Sequence, residues 1–167
     1  YPYIVIACVA LCLGCVLQGQ IGVVSKGRGK YFRRSFMREF DSIHAESLLG
    51  EKAPKYGFPD MGNGRYADKL EYSAWLDFNN TQRTHQNQVE QLPMALGFYL
   101  ISGLVLPKLT LACACILVLM RILYVVLYIT RGADGRFPAV VPIFIVVYGL
   151  GIYGTVLIAI KAFGQPA

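Results

Sequence analysis

The sequence predicts an all-helical integral membrane protein, a four-transmembrane-helix bundle forming one domain over residues 1–167. Three observations predict it. Apolar residues make up 55% of the chain and charged residues only 16%, far from the balance of a water-soluble globule. The apolar residues gather into long runs, Tyr3 to Val24, Leu109 to Ile129 and Ala139 to Ile160, each near the roughly 20 residues that cross a bilayer core. The basic residues, Arg121 excepted, cluster outside these runs rather than within them.

The first helix, about 3–24, has no basic segment ahead of it and no clear small-residue cleavage site, and it is longer than an ordinary signal core. It reads as a retained helix. The connection that follows, about 25–74, opens with Lys26, Arg28, Lys30, Arg33, Arg34 and Arg38, with no acid until Glu39. Further on it gathers turn formers in Ala53-Pro54, Phe58-Pro59 and Met61-Gly62-Asn63-Gly64. Its middle, Phe36 to Leu49, has the pattern of a short amphipathic helix at a membrane surface. As a whole it reads equally well as a structured hood or as a loose linker.

The second helix, about 75–105, is polar at its start, because the uncharged stretch between Glu90 and Lys108 is too short to span alone. A tight turn at Leu106-Pro107 leads into the third helix, about 109–130. Gly132, Gly135 and Pro138 then exclude a regular helix before the fourth, about 139–161. Short turns make sequential neighbours antiparallel.

The net charge of +6 is explained by topology. The first and third connections hold the basic residues, the latter through Arg131 and Arg136, whereas the second turn has only Lys108 and the C-terminal end only Lys161. The positive-inside rule puts both basic connections on the cytosolic side or its equivalent, with Tyr1 and Ala167 opposite. Nucleic acid is excluded as a partner, since neither a reader motif nor an aromatic platform accompanies the charge. Cys8, Cys12, Cys15, Cys113 and Cys115 all fall in apolar spans, so the C-x-x-C of Cys12 and Cys15 reads as helix packing rather than redox chemistry. No metal is expected.

Polar chemistry is concentrated between Phe78 and Pro93. Arg83, Asn87 and Glu90, at i, i+4 and i+7, form one stripe along a helix, and polar groups in a membrane helix turn inward and serve function. The same residues can also be read as a structural pair or a solvated helix end. A second stripe, Arg121, Tyr124 and Tyr128 at i, i+3 and i+7, lines one face of the third helix. Arg121 lies in mid-span, where an unpaired cation costs at least about 2.5 kcal/mol, so it needs a carboxylate or several carbonyls. Glu90 is the candidate in register if the helices are antiparallel. Arginines near the cytosolic ends, with Asn, Glu and Tyr deeper, suit a small molecule with carboxylates and an amine. Glutathione has this inventory, as do other anionic metabolites.

Gln82-Arg83-Thr84-His85-Gln86-Asn87 with Glu90 and Pro93 resembles the R-x-H-Q-N-x-x-E segment of the membrane-associated proteins in eicosanoid and glutathione metabolism, most closely the microsomal glutathione S-transferase 3 branch. Arg121-Ile122-Leu123-Tyr124 followed by Tyr128 is similar to that family's R-x-L-Y-x-x-x-Y. Ser25-Lys26-Gly27-Arg28-Gly29-Lys30-Tyr31 resembles its basic stretch after the first helix. Two departures stand out: Gln91 and Leu92 occupy the place of an aromatic, and the segment from Phe36 to Asp77 is longer than that branch has.

The resemblance implies a homotrimer that binds glutathione between neighbouring subunits near the cytosolic face. It implies that Arg83, Asn87 and Glu90 hold glutathione with His85 near them, that Tyr124 and Tyr128 close the pocket, and that Arg28 and Lys26 come from the adjoining subunit. Arg121 would be structural or binding. Arg136 matches the thiol-activating arginine, with Arg131 as the alternative. The implied activity is a glutathione transferase or peroxidase whose second substrate is a lipophilic electrophile or lipid hydroperoxide, in the endoplasmic reticulum or a mitochondrial membrane. The rival reading is a non-catalytic structural or lipid-contacting subunit of a larger membrane complex.

Overall fold

In the computed structural model, which describes residues 2–164, the chain is all-helical; no strand occurs among the described residues. The sidedness expected for Tyr1 and Ala167 concerns positions outside those residues. Among the described residues four long helices occur, Pro2–Tyr31, Tyr72–Val105, Pro107–Arg131 and Ala133–Phe163. The first, third and fourth are long and apolar enough to cross a membrane. The second, which carries the polar segment, does not meet that measure on its composition.

Several boundaries differ from expectation for local reasons. The first helix continues past Val24 to Tyr31, in spite of Gly27 and Gly29, since no proline intervenes to stop it. Over Gln18–Arg28 it widens to the rarer i→i+5 hydrogen bonding, a form often found at functional sites. The third helix starts at Pro107, which lacks the N–H that a first-turn residue leaves unused, and stops at Gly132, whose φ of 74° is left-handed. Pro138 does not exclude helix: it sits in the first turn of Phe137–Phe144, entered through a 3-10 turn over Ala133–Arg136.

The chain divides into two compact units, Leu17–His85 and the pair of segments Tyr1–Val16 with Gln86–Ala167. In the latter, helix packing is set by seams of small and medium residues. The first helix buries Ile4, Ala7, Leu11 and Cys15 and exposes Val5, Ile6, Val9 and Leu13. The third helix buries Thr110, Ala114, Leu117, Arg121, Tyr124 and Tyr128, whose steps of four and three trace a single heptad seam. Gly151 and Gly154 admit Phe98 and Ser102 so closely that any Cβ there would overlap them. Without a hydrophobic drive between helices in lipid, such close approach supplies the packing. Ser102 Oγ donates to the Leu150 carbonyl at 3.0 Å, and Tyr99 OH donates to that of Val146 at 3.3 Å.

The unit Leu17–His85 settles how the long connection behaves: it is a structured hood. Phe32, Met37, Ala53, Ala67 and Phe78 are buried together, with Phe36, Phe40, Tyr66 and Trp75 packed on them. Short helical pieces span Arg34–Met37, Arg38–Phe40 and Asp41–Ser47, where an amphipathic helix was expected. Gly57, at φ 63°, lies against the Phe32 ring where no side chain would fit. Asp60 is buried, and its carboxylate accepts the backbone N–H groups of Gly62, Gly64, Tyr66 and Ala67 at 2.7–3.0 Å. One side chain thereby closes the loop from residue 60 to 67.

Candidate functional site

Within the unit that holds Gln86–Ala167, a polar chain runs from the second helix to the connection after the third. Asn87 Nδ2 donates to Tyr124 OH at 2.6 Å. The rings of Tyr124 and Tyr128 are 5.6 Å apart, both buried. Arg136 Nη1 donates to Tyr128 OH at 3.4 Å, and its guanidinium stands 5.4 Å from the Tyr128 ring and 5.9 Å from that of Phe137. A cation over an aromatic face is attracted by the ring quadrupole, which holds this arginine in place. Arg131 is exposed, whereas Arg136 is half-buried.

Arg121 is buried in mid-helix, and its Nη2 donates to Gln91 Oε1 at 2.5 Å, with the Tyr124 ring 5.9 Å away. The carboxylate partner proposed from register is not used. Among the described residues no ion pair joins Arg121 to Glu90, which is exposed. One residue along a helix is about 100° around it, so Gln91 occupies the facing position that Glu90 misses. Gln91 is one of the two residues that replace the resembling family's aromatic, and it satisfies the buried cation without adding a charge. Sequence reasoning missed it. The available signal was an amide one position from the carboxylate, on a helix whose rotation was unknown.

The second helix carries Arg83, Asn87 and Glu90 on one stripe, as their spacing requires. Asn87 is half-buried, while Arg83 and Glu90 are exposed on the single chain. His85 is half-buried in the unit Leu17–His85, its ring against Gly19, whose missing Cβ makes the room. The His85 Nδ1 and Gln18 Nε2 atoms are buried there with no hydrogen-bond partner.

Of the basic stretch, Lys26 is exposed, but Arg28 is only 1% exposed. Its guanidinium donates to the carbonyls of Tyr56, at 3.0 Å, and Asp60, and lies 4.0 Å from the Phe58 ring centre. Arg28 thus fastens the hood loop to the end of the first helix, within the one unit. Lys30 and Tyr31 both bond the Asp77 carboxylate, Lys30 at 3.0 Å, and so tie that helix end to the start of the second helix.

The chain residues 4–156 match the model of the MAPEG family. No curated protein and no solved structure matches the chain.

Proposed function

The chain belongs to the MAPEG family, and on that premise we propose that it is an integral-membrane glutathione transferase or peroxidase of the microsomal glutathione S-transferase 3 type, with four spans, assembled as a homotrimer. The observation that carries the reading is a pair of hydrogen bonds, Asn87 to Tyr124 and Arg136 to Tyr128, joined by the contact of the two tyrosine rings. Arg83 and Glu90, exposed on the lone chain, are what a site completed by a neighbouring subunit would present. In this proposal Arg83 pairs a glutathione carboxylate, Glu90 its ammonium, and Asn87 its backbone, while His85 stands nearby. Lys26 is free to reach a neighbour's site. Arg28 is assigned to holding the hood, because its guanidinium is buried and bonds two carbonyls there.

A glutathione thiol is mostly protonated at neutral pH, with a reference value near 8.5. Arg136, half-buried over Tyr128, stabilises the thiolate, and a shift of about two units needs about 2.7 kcal/mol of preference for the anion. The thiolate then attacks an electrophilic carbon, forming the C–S bond as the leaving group departs. In the peroxidase reaction two thiols are oxidised to a disulfide while a hydroperoxide becomes an alcohol and water.

The test is turnover with glutathione on purified protein, using a conjugation substrate and a lipid hydroperoxide. Arg136→Ala should keep the fold and lower turnover at neutral pH by about tenfold or more, moving the pH profile upward. Arg131→Ala should leave both unchanged. Loss in Arg131→Ala instead would transfer the role. A second reading, a non-catalytic subunit of a larger membrane complex, is favoured by the structured hood and by Gln91. A stable larger complex without turnover would select it.

A further inference from the structure

The hood contains a cavity of about 680 Å³ that the glutathione chemistry does not use. All its lining residues belong to the unit Leu17–His85. Its apolar surface comes from Phe40, Ile43, Pro59, Met61 and Tyr66. Ile43 and Met61 are 56% and 57% exposed there, apolar surface that folding of the chain leaves uncovered.

The walls are preformed. Phe40 and Tyr66 meet edge to face with centroids 4.8 Å apart. The loop carrying Met61, Asn63 and Arg65 is closed on the Asp60 carboxylate by four backbone N–H groups, and Gly62 O further accepts from Trp75 Nε1 and Asn79 Nδ2. Asp60 is consumed by that work, so it offers the cavity no unsatisfied charge. The remaining charged groups in the lining are Arg65, Lys69, Asp68 and the titratable His44. Among the described residues neither Arg65 nor Lys69 makes a side-chain hydrogen bond or ion pair, and two cations face one free carboxylate.

We propose that this cavity binds a long-chain carboxylate, its hydrocarbon chain on Phe40, Ile43, Met61 and Tyr66 and its head at Arg65 and Lys69. The volume falls in the range that takes one small molecule, a mostly apolar wall with a few polar groups that fix orientation. The charge balance selects an anion over a neutral or cationic amphiphile. The proposal is independent of glutathione turnover and stands or falls on binding alone.

The test uses the full chain in lipid nanodiscs and a long-chain fatty acid bearing a mid-chain diazirine, with adducts mapped by peptide mass spectrometry after irradiation. Adducts are expected on the stretches 40–47 and 59–66, displaced by excess oleate and not by oleyl alcohol. Joint Arg65→Glu and Lys69→Glu replacement at these exposed positions removes both charge-assisted bonds and should lower that labelling by at least about tenfold. Resistance of the hood to protease, compared with the parent chain, shows that the fold persists; if it does not, the Arg65→Gln and Lys69→Gln pair supplies the same readout. Labelling confined to the long helices, equal displacement by the alcohol, or parental labelling in a folded variant overturns the proposal. So does equal labelling of the same stretches by a diazirine phospholipid built into the nanodisc, which would make this face a bilayer contact.

Discussion

The hood and the helix bundle solve the same problem with different materials. In Leu17–His85 the buried apolar set is small, and order comes from polar staples: Arg28 on two carbonyls, Asp60 on four N–H groups, and Arg34 on Asp41 at 2.5 Å. In the bundle unit the seams are apolar and close, and the few polar bonds join side chains to carbonyls, hold the Arg121 cation, or link Asn87 to Tyr124 and Arg136 to Tyr128. The difference teaches that an irregular connection must fix its backbone polar groups individually, whereas a lipid-facing helix has already satisfied its own. It also predicts that the two units respond to different substitutions.

The sharpest way to break the comparison is Asp60→Ala, which orphans four backbone donors at once. Those of Gly62 and Ala67 are buried, and a buried unsatisfied group costs about 1–3 kcal/mol, so the hood should lose about 2–6 kcal/mol. Limited proteolysis should then cut rapidly between residues 48 and 70 while far-ultraviolet dichroism retains the long helices. If the bundle melts together with the hood, the two are not held separately.

The counterpart in the bundle is Gly154→Leu, which overlaps Ser102 and breaks its bond to Leu150. Overpacking of this kind costs about 1–3 kcal/mol. The measured quantity is the unfolding midpoint in mixed detergent, expected to fall with the hood's protease pattern unchanged. A midpoint equal to that of the parent would mean that the seam yields at no cost.

An effect of similar size comes from Gln91→Leu, which takes the acceptor from Arg121. A hydrogen bond to a charged group contributes about 1.5–3 kcal/mol, and the bilayer gives the guanidinium little water as a substitute. Gln91→Glu should restore or raise the midpoint. Equal midpoints for Leu and Glu at this position would show that the ring of Tyr124 alone suffices.

The smallest expected effect is on acid stability. Partial burial raises the Asp41 carboxyl, but the Ala53 N–H bond and the Arg34 guanidinium outweigh it and hold the group below its ordinary value. A depressed carboxylate contributes stability that is complete above its unfolded value and is lost as pH falls through the folded one. The hood of the parent chain should therefore loosen below about pH 4, the ordinary carboxylate value. Asp41→Asn should flatten that dependence in a pH series of protease resistance.

Much of this was legible in the residues alone. Apolar runs named the first, third and fourth long helices, and spacings of three and four named the face shared by Arg121, Tyr124 and Tyr128, which depends only on helix period. The sequence also pointed to the polar segment from Arg83 to Glu90, where polarity inside an apolar run is costly enough to mark itself. Tertiary structure alone decided what each stripe meets. Gln91 rather than Glu90 faces Arg121 because a helix's rotation about its axis is set by the seams on its neighbours, and a one-residue difference turns a side chain through about 100°. Arg28 is a hood anchor, and Asp60 a loop closure, because their partners lie 28 and 32 residues away or are backbone atoms without sequence identity. Local period is written in side-chain chemistry, but a long-range hydrogen bond to a carbonyl or an N–H is written only in the folded chain.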